Sequence, residues 1–292
     1  MTTSIVPQLI VSGALMGLVY ALVAYGFQLT FATSKSINFG QGELVMVSAF
    51  FSLTLTKVGF PYGLMIPGGL LFGVLLGLFV ERAAVRLALE QKSEGWVLLT
   101  IILGLFFFSA AENIWGREDQ PFPTPISANA IQVLGVSITP LEISVAVGVL
   151  AIMGLIELFK RTTLLGKAFE AVSADRDAAE LMGVSSRRTI MLSYGLSGLS
   201  AAVAGILVSP ITTVGPTMAS VLVLKAFSVA VVAGLDSGFG VVLVGLVLGA
   251  LEGLTSFYVG SGWREAPGLV LLILALAVRP SGVFGKAVIR KV

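Results

Sequence analysis

Six runs of this chain, Leu9–Phe31, Leu64–Val80, Trp96–Trp115, Leu141–Phe159, Ile190–Val208 and Val241–Val259, carry two charges or fewer each and approach or exceed the length of a membrane-crossing helix. About 20 apolar residues in helical form cross a hydrocarbon layer of ~30 Å, where no water can satisfy a free N–H or C=O. Three shorter apolar stretches, Leu44–Leu55, Val221–Leu235 and Gly268–Val278, interleave with them. The expected fold is all-α, a polytopic transmembrane helix bundle of about nine spans (range about 8–10), some short or broken, forming one domain over 1–292. Composition agrees, with 56% hydrophobic and 12% charged residues. The leading MTTSIVPQ has no basic region ahead of the apolar run, so the first segment is expected to stay as a membrane helix.

Small residues recur every four positions: Gly13 and Gly17; Gly69, Gly73 and Gly77; Ser197, Ala201 and Gly205; Gly245, Gly249 and Gly253. Such stripes predict faces on which helix backbones approach closely. Trp96 and Trp115, at the two ends of one span, are expected as interfacial anchors. The Pro-rich segment Gly116–Thr139 reads as a loop, and SPITTVGPTMAS (209–220) as a turn at or just within the membrane surface.

Polar residues inside this apolar frame are the candidates for chemistry. Asn38, Gly40, Gln41, Gly42 and Glu43 precede an apolar stretch too short for a full span. Asn38 and Gln41 resemble a capping box, which makes this a half-helix whose N-terminus opens toward a translocation path, with Glu43 in its first turn. Alternatively, Asn38 caps a helix at the membrane surface and Glu43 faces headgroups. Lys225 and Glu252 are ionisable residues within apolar segments, which tend to mark pathways. They can neutralise one another across two spans, or Lys225 can snorkel and Glu252 can bond to a neighbouring helix.

The longest polar interruption is Lys160–Arg188. Charges on helical spacing and a stripe of Ala171, Ala174, Ala178 and Leu181 predict a short amphipathic helix between Lys167 and Leu181. Alanines suit docking against a partner groove better than insertion into lipid, although an ordinary solvated loop helix has the same pattern. Lys35, Arg82, Arg86, Lys92, Lys160, Arg161, Lys167, Arg176, Arg187, Arg188, Arg279, Lys286, Arg290 and Lys291 fall on the side of this stretch, and Lys57, Arg117 and Arg264 on the other. The positive-inside rule then makes 160–188 and the C-terminus cytoplasmic and the N-terminus external.

Cysteine and histidine are absent, which removes thiol nucleophiles, imidazole bases and Cys- or His-held metals, and no GxxxxGK[ST] or GxSxG motif occurs. No cofactor is expected. The net charge of +2 gives no reason to expect nucleic acid.

NFGQGE (38–43), TTLLGKAFEAVSADRDAAELMGVSSRR (162–188), LKAFSVAVVAGLDSGFGVVLVGLVLGALEG (224–253) and RPSGVFG (279–285) together resemble the permease subunits of bacterial ABC importers for branched-chain amino acids. The resemblance covers most of the chain in the family's order. It implies a multi-pass permease of the bacterial inner membrane that pairs with a homologous second permease, two cytoplasmic ATPase subunits and a periplasmic or lipid-anchored substrate-binding protein. It also implies that Gly166, Ala171, Asp175, Ala178, Leu181 and Gly183 belong to the loop that docks into the ATPase. Gln41 stands where the family's His–Gly–Glu triplet has histidine, and Ala233–Ser237 departs from the family's glycine pair. Relatives that are similar in sequence carry urea, amides, other neutral or acidic amino acids, or small organic acids. The competing function is an ion-coupled secondary transporter or channel for a small polar solute, with Lys225, Glu252 and Glu43 as coupling groups.

Overall fold

The computed structural model describes residues 5–285 apart from 92, 128, 134 and 280, so Lys92 and the basic tail residues Lys286, Arg290 and Lys291 lie outside the described residues. Long apolar runs fold as helices throughout. The chain runs through α1 (Ile5–Ser34), α2 (Gln41–Lys57), α3 (Tyr62–Val80), a π-helical turn (Glu81–Val85), α4 (Arg86–Glu90) and α5 (Trp96–Trp115). A small antiparallel pair follows, β1 (Ile131–Val133) and β2 (Val136–Ile138), and then α6 (Pro140–Thr162). Two short helices, α7 (Leu164–Ala174) and α8 (Arg176–Leu181), lead into α9 (Ser186–Thr212), α10 (Met218–Ala233), α11 (Gly238–Tyr258) and α12 (Ala266–Val278).

Among the described residues seven helical segments are long and apolar enough to cross a membrane. The other two expected spans are α2 and α10, of 17 and 16 residues. At 1.5 Å per residue they reach about 25 Å, short of the ~30 Å layer.

The bundle is centred on α1 and α9, whose most apolar windows are 61% and 72% buried against 6% for the segment ending in α12. The glycine stripes are the contacts that bring the centre together. A Cβ placed on Gly17 of α1 would lie 2.0 Å from the carbonyl oxygen of Gly245 on α11, and one on Gly249 would lie 2.1 Å from that of Gly13. On α3 and α9 a Cβ on Gly77 would meet the Tyr194 carbonyl oxygen at 2.1 Å. Backbones this close gain dispersion contacts over their whole length, which lipid, as apolar as a leucine, cannot supply by hydrophobic exclusion. Hydroxyls add hydrogen bonds at one end of the α1–α9 contact, where Thr33 meets Ser193 at 2.7 Å and Ser36 meets Tyr194 at 2.9 Å.

Two expected loops are partly ordered differently. The charged stretch after Val80 stays helical to Glu90. Glu81, 2% exposed, accepts from Arg86 at 3.0 and 3.2 Å, and the wider π turn places residues five apart on one face. Within 116–139, the β1–β2 hairpin is tied to the start of α1 by Gln8, which donates to the Ser137 carbonyl (2.7 Å) and accepts from its N–H (2.6 Å). Trp115, at the end of α5, stacks on Phe50 and donates to Thr54 at 2.7 Å.

Candidate functional site

Three groups of polar residues were expected to carry function, and each has a definite place. The first is the start of α2. Gln41 donates to the Ser197 carbonyl at 3.2 Å and accepts from the Ser197 hydroxyl at 3.0 Å. Ser197 is eleven residues into α9, about 16 Å along its axis, so the α2 N-terminus lies inside the bundle. The capping box does not form. The N-cap is Gly40, and Asn38 instead accepts from the Gly40 N–H (3.1 Å) and donates to the Gln41 side chain (3.3 Å). Both side chains are sealed within the chain, Asn38 at 1% and Gln41 at 0% exposure. Gly42 allows contact with α10, since a Cβ there would be 2.4 Å from the Ala219 carbonyl oxygen. Glu43 lies in the first turn beside Gly104 of α5, and its Oε2 is buried without a hydrogen-bond partner.

The second group sits on the other side of α10. Ala219 and Val223 face α2, whereas Lys225 turns toward α1 and α11. Its Nζ lies 2.8 Å from Glu252 Oε2, so the expected pair forms and snorkelling does not occur. Two residues that sequence reasoning missed complete the cluster. Tyr20 of α1 donates to the same Oε2 at 3.1 Å, and its ring lies under the Lys225 ammonium, 5.2 Å from the centroid. Arg264, after α11, places Nε 3.9 Å from that oxygen. A tyrosine amid the apolar residues of α1 is the one sequence signal for the first; nothing local marks Arg264 beyond its charge. Two cavities of about 250 and 310 Å³ flank the cluster and share Met16, Tyr20 and Arg264 as walls.

The third group is the segment after α6. The single expected helix is two helices, because Asp175 is extended and accepts from the Ala178 N–H at 2.9 Å, the position aspartate favours as an N-cap. Thr163 and Ser185 cap α7 and α9 in the same way. Gly183, at φ +85°, ends α8 in a left-handed turn closed by Val184 N–H to the Ala179 carbonyl. Phe169, Val172 and Ala179 pack inward, while Ala171, Ala174, Asp175, Ala178, Leu181 and Gly183 are exposed. Gly166 is buried instead, where a Cβ would meet the Lys160 carbonyl oxygen at 2.3 Å, so it seats α7 on the end of α6.

The comparisons with known proteins decide the class. The profile of the family described as "Branched-chain amino acid transport system / permease component" matches residues 9–278. The chain belongs to that family. Over 98% of its length and 97% of theirs, it is 27% identical both to the high-affinity branched-chain amino acid transport system permease protein LivH of Salmonella typhimurium and to BraD of Pseudomonas aeruginosa. Among solved structures, PsaBC from Streptococcus pneumoniae in complex with Fab covers 94% of this chain at 14% identity, with a TM-score of 0.48. The protein is a multi-pass permease subunit of the branched-chain amino acid-type ABC transporters, a transport subunit and not an enzyme.

Proposed function

We propose that this permease is one pore-forming half of an ATP-driven importer for branched-chain or other neutral amino acids, or related small polar solutes, in the bacterial inner membrane. Its partners are a second, homologous permease, two cytoplasmic ATPases and a periplasmic or lipid-anchored binding protein that delivers the cargo. In this reading the chain is a single permease domain, with 160–188 as its cytoplasmic docking loop.

The observation that carries this reading is the outer face of α7 and α8. Leu181 and Met182, 90% and 84% exposed, are uncovered at the end of α8, and Ala171 and Ala174 on α7 and Ala178 on α8 are exposed as well, on helices held by side-chain caps. Capped helices move as stiff levers, and a small-residue face lets a partner groove close on the backbone. Nucleotide binding in the ATPases then shifts α7 and α8, and the tightly packed pairs α1–α11 and α3–α9 rock as units to open the path to each side in turn. An ion-coupled transporter has less support, since Lys225 and Glu252 neutralise each other.

Reconstitution with the neighbouring transport gene products tests the reading. The expected result is cargo uptake that requires ATP and the binding protein; uptake driven by a proton gradient without either would contradict it.

A further inference from the structure

Glu252 is 1% exposed, and every donor that reaches it converges on one oxygen. Lys225 Nζ at 2.8 Å, Tyr20 OH at 3.1 Å and, more loosely, Arg264 Nε at 3.9 Å all approach Oε2, while Oε1 is buried with no partner. A buried carboxylate oxygen left without a donor is costly, so its retention points to a donor supplied from outside the chain. Glu252 lines the cavity of about 310 Å³, within the size range of small-molecule sites. The Arg264 side chain is half exposed and forms its single ion pair among the described residues with Glu252, through Nε. Its outer guanidinium nitrogens therefore remain for a carboxylate, which that planar fork grips in bidentate fashion.

We propose that this network is a cargo site for a zwitterion, with Glu252 Oε1 receiving the ammonium and Arg264 the carboxylate. Tyr20 and Met16 wall both cavities and face the side chain of the cargo. Lys225 is committed to Glu252, so it leaves only one of that residue's oxygens for the incoming ammonium. The proposal rests on the reading of the chain as an amino-acid permease and assigns the residues that select for charge at both ends of the cargo. A bare amine finds Glu252 but gains nothing from Arg264, and a bare acid does the reverse.

Direct binding to the purified transporter complex tests this with three probes: leucine, 4-methylpentanoate, which lacks the ammonium, and 3-methylbutylamine, which lacks the carboxylate. The wild-type complex is expected to prefer leucine to each analogue by about tenfold or more, the effect of one charge-assisted hydrogen bond. Glu252→Gln is expected to abolish the preference over 4-methylpentanoate, because it removes the partner of the ammonium and leaves the acid its contact with Arg264. Arg264→Gln should abolish the preference over the amine. The double change Lys225→Met with Glu252→Gln, which leaves no uncompensated charge, should repeat the Glu252→Gln pattern and separates charge recognition from misfolding. No saturable leucine binding by the wild-type complex, or equal losses for all three probes in these variants, would overturn the proposal. ATP-driven leucine uptake by the same wild-type complex is read separately: uptake with the wrong binding pattern sinks this site and leaves the importer standing, whereas no uptake sinks the importer.

Discussion

The cluster around Glu252 and the face of α7 and α8 break opposite rules. One places charge within an apolar bundle, where lipid-spanning helices avoid it. The other leaves Leu181 and Met182 uncovered on a polar segment outside the apolar bundle. Their construction differs accordingly: Glu252 is held by contacts from α1, α10 and the turn after α11, whereas α7 and α8 are held by their caps and a short inward face, with the outward face unused. The contrast teaches that a residue's importance to the fold and its importance to function separate here. The inner cluster should serve both, the outer face function alone.

The sharpest break in that contrast would come from Lys225→Met. It strands a buried carboxylate, and a loss of about 3–5 kcal/mol is expected in thermal unfolding of the purified chain. Restoring neutrality with Glu252→Gln should recover most of it. The same measurement on Leu181→Glu with Met182→Glu should move stability by less than about 0.5 kcal/mol, and equal losses from the two regions would end the distinction. That outer double variant should instead lower co-purification of the ATPase by about tenfold or more, as expected for an exposed contact that binding buries.

A smaller effect is expected at the start of α2. Asn38→Leu removes the acceptor for the Gly40 N–H and the donor to Gln41, a cost of about 1–3 kcal/mol. If Asn38 also touches cargo, transport should fall further than stability explains; unaltered transport would remove that contact. The smallest effect lies on α8, where the Ser186 hydroxyl, aided by Arg176, holds the exposed Glu180 carboxyl below the usual carboxylate range. Because ionised Glu180 accepts this bond, its contribution is present above the ordinary carboxylate range and is lost as pH falls through the lowered value. Ser186→Ala should shrink that pH-dependent contribution, readable as a weaker pH dependence of amide hydrogen exchange in residues 180–186.

Much of this was legible in the chain itself. Apolar run length marks the helices, and glycines every four residues mark the α1–α11 and α3–α9 contacts, because both signals are local and periodic. The Lys225–Glu252 pair was legible as one of two alternatives, since a charge within an apolar run must find a partner or reach the surface. Tyr20 and Arg264 were not, because their role depends on which helices become neighbours. The break at Asp175 was missed for a different reason: its N-cap preference competes with the helical charge pattern that runs through it. Asn38 and Gln41 have the spacing of a capping box, yet tertiary contact with Ser197 recruits Gln41 into another network.

The central claim is that the 160–188 segment lies inside the cell and grips a nucleotide-hydrolysing partner. The chain has no cysteine, so a single Ala178→Cys variant reports on this face without background. The account predicts that a membrane-impermeant maleimide leaves this cysteine unlabelled in intact cells, labels it once the membrane is opened, and is blocked again when the ATPase subunit is bound. Labelling in intact cells would contradict it.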